Sequence, residues 1–291
     1  MAERATLGAI RAVTTCVPEL ARIERVYGAM LGYHAVDRGV VPEGVAAGWG
    51  APKAAGRHFL TLGPQSGEAC YLRFVESEQA RGWSALTTHG WNATEIVVQD
   101  VDALAARLAA SPDFQIIGPI MPLGRYSMIR AMQVLGPAGE CLYFTEVGPG
   151  SGLILAPALS FVGRVFIVVA GGPDLDALFS TYTRFDNPVD APVKTPVRVV
   201  ARANGLDSET PIAHGMVRLD GGTMVELDGY PPQTRPRPTA AGDLPPGMAM
   251  VSFDVSRLEG ETVPALLPCG GRTRSLAGAA GDWVELVEGA R

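Results

Sequence analysis

Few residues of this chain can move a proton or hold a charge from inside a folded core, and most of them stand on apolar runs. Histidine occurs four times, at 34, 58, 89 and 214. His58 opens the run His58-Phe59-Leu60-Thr61-Leu62, and His214 lies within Ile212-Ala213-His214-Gly215-Met216. Imidazole titrates near neutrality, so either ring, facing a pocket, could act as general acid or base. A strand histidine also serves as an ordinary hydrogen-bonded polar group, and matched places in a repeat account for both. His34 follows a helix end and His89 sits in a loop, so both are expected in solvent. Charged residues interrupt other apolar runs: Arg73 in Cys70–Glu76, Glu95 in Ala93–Asp100, Glu226 in Gly222–Leu227 and Glu285 in Gly281–Leu286. Phosphate-binding glycine loops, the GxSxG nucleophile elbow and the HExxH zinc motif are absent.

The elements that must position these residues recur four times. Each copy opens with an apolar strand that passes a turn residue into an amphipathic helix, and each closes with an apolar strand after a glycine turn. The openings are Ile10–Glu19, Ala93–Asp100, Arg164–Gly171 and Met250–Arg257; the closings are Cys70–Glu76, Gly139–Glu146, Gly222–Leu227 and Gly281–Leu286. Leu20, Ile23, Tyr27, Met30 and Leu31 recur at helical spacing before Gly32. Val101, Leu104, Ala105 and Leu108 form the second stripe, and Leu175, Leu178, Phe179 and Tyr182 the third. A weak fourth helix is expected around Val263, Leu266 and Leu267. Residues 42–56 read as a Pro/Gly/Ala loop. Gly148-Pro149-Gly150-Ser151-Gly152 has a hinge composition and marks the expected boundary between domains 1–150 and 151–291.

Composition narrows the class. The 291 residues are 47% apolar and 19% charged, enough for two cores and little for disordered tails. A net charge of -6 argues against nucleic acid as a partner. Four cysteines without a CxxC pair suit buried thiols in a reduced, cytoplasmic setting. No charged-then-apolar leader opens the chain, and no apolar run approaches a membrane span.

The order strand, helix, three strands, taken with Tyr27-Gly28-Ala29-Met30-Leu31-Gly32-Tyr33 and the turn Gly136-Pro137-Ala138-Gly139, resembles the vicinal oxygen chelate superfamily. That family includes glyoxalase I, extradiol dioxygenases and the bleomycin- and fosfomycin-resistance proteins. The resemblance implies an α+β fold: four βαβββ modules paired into two domains, whose curled mixed sheets form cups. Whether module one pairs with two, or one with four and two with three, stays open.

Metal-dependent relatives place ligands on the first and last strands of each module. Seven residues before the acidic turn residue, the first-strand positions are Ala12 and Ala93, and the matching last-strand positions are Arg73 and Tyr143. None of these is a divalent-metal ligand in that setting, so the resemblance implies an N-terminal cup without a metal cofactor. The positions in the other half are Arg164, Glu226, Met250 and Glu285. They suggest an Arg164 guanidinium between two glutamates, with Glu226 and Glu285 holding a divalent metal as the alternative.

Strand parity places Thr14, Cys16, Tyr71, Arg73, Ala93, Glu95, Cys141, Tyr143 and Thr145 on the first cup wall. Arg73 would bind a carboxylate or phenolate there, with Tyr71 and Tyr143 beside it; alternatively Arg73 and Glu95 pair and plug the cup. The segment 122–133, with Arg125, Tyr126 and Gln133, is expected to form the lip of that cup. Together these imply a small-molecule enzyme or binder, metal-independent in its N-terminal cup, acting on an aromatic or hydroxylated organic acid. The reaction would be isomerase- or lyase-type proton transfer with Glu95 or His58 as base. A ligand-sequestering protein and a metal-dependent extradiol-type dioxygenase are the alternatives, and a homodimer is compatible with any of them.

Overall fold

The computed structural model describes residues 5–78, 83–123, 126–149, 155 and 157–290, apart from the side chains of 126 and 127. Module one runs β1 (Leu7–Val17), α1 (Leu20–Leu31), β2 (His34–Val40), α2 (Glu43–Gly48), β3 (His58–Gly63) and β4 (Tyr71–Glu76). Module two runs β5 (Gly90–Val98), α3 (Val101–Ala109), β6 (Gln115–Leu123), β7 (Tyr126–Leu135) and β8 (Cys141–Val147). Module three runs β9 (Val162–Gly172), α4 (Leu175–Tyr182), β10 (Val193–Pro196), α5 (Arg198–Ala203), β11 (Pro211–Arg218) and β12 (Met224–Gly229). Module four has strands only: β13 (Gly247–Val255), β14 (Val263–Pro264), β15 (Arg272–Ala277) and β16 (Trp283–Glu288).

Local chemistry explains where helices form. Asp100 and Asp174 cap α3 and α4 by accepting the backbone N–H groups of Ala103 and Ala177 at 2.8 and 3.0 Å. Gly32 ends α1 at a φ of 72° and returns its N–H to the Gly28 carbonyl. The expected fourth helix is absent. Gly260 sits at a φ of 82° and Pro264 follows, so the segment extends into the two-residue strand β14 instead.

The sheets correct the expected division at residue 150. One eight-stranded sheet has the order β14-β15-β16-β13-β1-β4-β3-β2, and the other β10-β11-β12-β9-β5-β8-β7-β6. Module one therefore joins module four through the antiparallel pair β1/β13, and module two joins three through β5/β9. Each cup draws on both halves of the chain, the first from its two ends and the second from its middle. The joins are made by the opening strands, whose register matches Thr14 with Met250 and Ala93 with Val169.

The helix-covered faces of the two sheets share one core, with Ile23, Tyr27, Phe74, Trp91, Phe144, Val168 and Phe253 in a single cluster. Hydrogen bonds cross it: Tyr27 Oη donates to Glu140 Oε1 at 2.6 Å, Tyr33 Oη to the Gly163 carbonyl at 2.6 Å and Trp91 Nε1 to the Trp283 carbonyl at 2.7 Å. Both cups lie on the opposite sheet faces. Cys16, Cys70, Cys141 and Cys269 are free thiols. Among the described residues no helix is long and apolar enough to cross a membrane.

Candidate functional site

The first cup, between modules one and four, is closed by the protein's own side chains. Arg73 and Glu285 are both fully buried and pair at 2.7 Å. Arg73 Nε donates to Thr14 Oγ1 at 2.9 Å and Nη1 to the Leu266 carbonyl at 2.8 Å. Trp49 Nε1 donates to Glu285 Oε1 at 2.7 Å, its ring stacks 4.8 Å from the Arg73 guanidinium, and Ser252 Oγ donates to Glu285 Oε2. Burial alone would raise the Glu285 carboxyl, but the Arg73 charge and these donors outweigh it and hold it below the ordinary range. The Arg73 and Glu285 charges take their partners from the protein itself, which suits a plug rather than a ligand anchor; only the neighbouring Thr61 and Ser275 hydroxyls beside them are left unpartnered among the described residues. The plug comes from residues 42–56, which form α2 and a short 3-10 turn instead of a loop. Val45, Ala46 and Trp49 pack there with Leu244 and Met250.

This arrangement corrects three expectations. Arg73 is tied to Glu285, not to Glu95 and not to a ligand's acid group. Arg164 does not stand between two glutamates: it pairs with Glu68 at 3.1 Å and donates to the Gly221 carbonyl. Glu226 and Glu285 lie in different sheets, so they cannot share an ion. Tyr71 is half-buried at the margin of the first cup, near Leu267 and Cys269.

The second cup, between modules two and three, differs in kind. Glu95 on β5 is 3% exposed and accepts a hydrogen bond from Thr145 Oγ1 on β8. Burial, set against that hydrogen bond and reinforced by nearby Glu226, pushes the Glu95 carboxyl up to about 8. Tyr143 stands beside Glu95 in the β5/β8 register, and Gln133 pairs with Tyr143 from β7. On β12, Glu226 and Asp228 share a face: burial, with the charge of Asp228 and a hydrogen bond to it, raises the Glu226 carboxyl well above its ordinary value, and burial raises Asp228 against the lowering effect of its hydrogen bond with Glu226. Tyr230 follows them, and its phenol is pushed well up by burial and by Asp228. His214 on β11 sits opposite Asp228, with Nδ1 3.8 Å from Glu226 Oε1 and Nε2 2.8 Å from Thr195 Oγ1. The apolar wall is Ala93, Val97, Ile167, Val169, Val199 and Ile212. Among the described residues no ion pair with Arg or Lys offsets the three carboxyls.

Other expected residues fall elsewhere. His58 is exposed on the helix side of β3, in a groove of about 390 Å³ with Leu20, Glu24, Arg38 and Glu76, and does not meet Glu95. Alternation explains it, because His58 shares parity with Leu60 and Leu62 of the core while Thr61 faces Arg73. Arg125 and the Tyr126 side chain lie outside the described residues. Much of the expected lip is strand β7, where Arg130 pairs with Asp102 and Glu146 at 2.7 Å each. His34 is exposed as expected, whereas His89 is half-buried against Thr234 at 3.2 Å. A groove of about 410 Å³ is lined by His89, Arg237 and Trp283. Asp228 and Tyr230 were missed because the fold, not local pattern, places β12 in the same curled sheet as β5 and β8, with β9 between.

A metal of the kind the family resemblance implies does not fit the family's positions. Seven residues before the caps of α1, α3 and α4 stand Ala12, Ala93 and Ile167, so the position in module three is Ile167, three residues after the expected Arg164. With the last-strand residues, the first cup offers Ala12, Arg73, Met250 and Glu285, its carboxylate neutralised by Arg73. The second offers Ala93, Tyr143, Ile167 and Glu226, a single carboxylate.

No family model and no curated protein matches the sequence. Solved structures do match the fold. Glyoxalase I from Zea mays aligns with a TM-score of 0.62 at 15% identity, covering 97% of this chain and 92% of that one. A putative dioxygenase from Bacillus subtilis aligns with a TM-score of 0.61 at 13% identity, covering 98% and 86%. The strand orders and these alignments agree: the chain has the vicinal oxygen chelate fold in its tandem four-module form.

Proposed function

We propose that the chain is a small-molecule enzyme of the proton-transfer type, with the cup of modules two and three as its working site. The observation that carries this reading is Glu95, a buried carboxyl without a cationic partner among the described residues, set between Thr145 and Tyr143. Its raised pKa supports the role, because a carboxyl balanced near 8 can both give and take a proton close to neutrality. Tyr143 and Tyr230 would hydrogen-bond the oxygen on which charge develops. Isomerase- or lyase-type chemistry at a carbon beside a carbonyl or hydroxyl suits these groups. With Arg73 committed to Glu285 and three carboxyls in the cup, a hydroxylated, uncharged ligand fits better than an organic acid. The half-exposed edge at His214 and Glu226 is the expected way in.

The test is a thermal-shift screen of neutral hydroxyketones and phenols against matched carboxylic acids, with solvent-deuterium exchange into any bound compound. Neutral hydroxylated compounds should stabilise the protein and exchange a carbon-bound proton. Glu95→Gln should abolish exchange by at least ~100-fold, the ordinary worth of general acid–base catalysis. The variant should also be more stable than wild type above pH 8, by on the order of a few kcal/mol. The sign follows from the raised pKa: the unfolded carboxyl ionises first, so Glu95 costs stability as pH rises from its ordinary value toward 8. Binding without exchange would favour a sequestering protein, and exchange surviving Glu95→Gln would sink this reading.

A further inference from the structure

We propose that His214, Glu226 and Asp228 form a divalent transition-metal site at the rim of the second cup, on the adjacent strands β11 and β12 of one module. It differs from the family's arrangement, in which first and last strands of paired modules contribute, and shares only Glu226 with it. One ligand atom from each of the three residues lies within 4.8 Å of the others. Cross-strand register creates the cluster, pairing His214 with Asp228 and Met216 with Glu226.

The independent observation is a set of buried polar atoms that the protein leaves unpartnered. Asp228 is 0% exposed, and among the described residues its carboxylate meets no N–H or hydroxyl donor and has only the Glu226 carboxyl, itself a proposed ligand, as a side-chain partner. His214 Nδ1 is also unpartnered, as is the hydroxyl of Tyr230, which is 4% exposed. Orphaned atoms of this kind are costly in an interior, and a cation converging on them satisfies several at once. Thr195 holds His214 Nε2, which leaves Nδ1 free to turn its lone pair toward Glu226 and Asp228. The side chains of His214 and Glu226 keep 17% and 15% exposure, a path for an ion. Another acidic trio, Asp100, Asp102 and Glu146, is already engaged with Arg130 and the first N–H groups of α3. One imidazole with two carboxylates suits manganese, iron, cobalt or zinc rather than calcium.

Full-length protein stripped with chelator is titrated with Mn(II) and with Co(II) by calorimetry. One equivalent should bind, and pulsed EPR of the Mn(II) form should show coupling to an imidazole nitrogen. His214→Gln and the near-isosteric Asp228→Asn should each weaken binding at least 10-fold with cooperative melting retained. Glu95→Gln should bind as wild type does, which separates this site from the proposed proton-transfer role. No stoichiometric binding, or an EPR signal without imidazole coupling, overturns the proposal. So does unchanged affinity in the two rim variants, or equal loss in Glu95→Gln, which would move the ion deeper into the cup. The wild-type EPR measurement decides the matter even if a variant fails to fold.

Discussion

At the scale of single residues, the two cups show opposite uses of a buried charge. In the first, Arg73 and Glu285 neutralise each other and spend their hydrogen bonds on Thr14, Leu266, Ser252 and Trp49. Truncating one partner leaves the other buried and unpaired, so Arg73→Ala should destabilise the protein by about 3–5 kcal/mol. The double variant Arg73→Met with Glu285→Leu should be more stable than either single variant, and urea unfolding of the set gives the coupling. Glu285 has a lowered folded pKa, so its contribution is present above the ordinary glutamate range and disappears as pH falls through the folded value. Wild type should therefore lose stability at acid pH more steeply than the double variant, and parallel pH profiles would contradict the assignment. Arg73 was legible in the sequence as a buried cup residue because strand parity fixes the face. Its partner was not, because parity says nothing about which module lies opposite.

At the scale of elements, helices were readable where an apolar stripe meets a cap, as in α1, α3 and α4. The plug helix α2 was hidden by its composition, Glu43-Gly44-Val45-Ala46-Ala47-Gly48, which reads as a loop because glycine and proline frame it. Its two glycines have different roles. A Cβ on Gly48 would stand 2.5 Å from Val263 Cγ2, so this glycine permits α2 to lie against β14. Nothing lies within 4 Å of a Cβ on Gly44. Gly48→Ala should cost about 1–3 kcal/mol through overpacking, recovered in part by Val263→Ala. Gly44→Ala should stabilise by up to about 1 kcal/mol through helix propensity. Thermal melting of the three variants checks the contrast, and equal signs at the two glycines would argue against the α2/β14 contact.

At the scale of the whole molecule, the unit of the fold was legible and its pairing was not. Four similar opening strands can in principle pair in more than one way, and the hinge-like composition at 148–152 suggested halves. The choice made by the chain depends on contacts between residues far apart in sequence, such as Thr14 with Met250 and Arg73 with Glu285, 212 positions apart. No local pattern carries that information. A consequence separates the two arrangements. If the chain is cut between 149 and 157, the first fragment holds β1 and β5 without β13 and β9, their antiparallel partners. Unpaired edges in the middle of a sheet drive association, and Trp49 and Arg73 would lose the Glu285 carboxylate. The separate fragments should be aggregated or weakly folded by far-UV circular dichroism and size exclusion. Mixing or co-expression should restore one compact complex with cooperative melting. A fragment of residues 1–149 that folds alone as a stable monomer would mean that its two modules pair with each other. The shared first cup, with its Arg73–Glu285 plug, would then have to be given up.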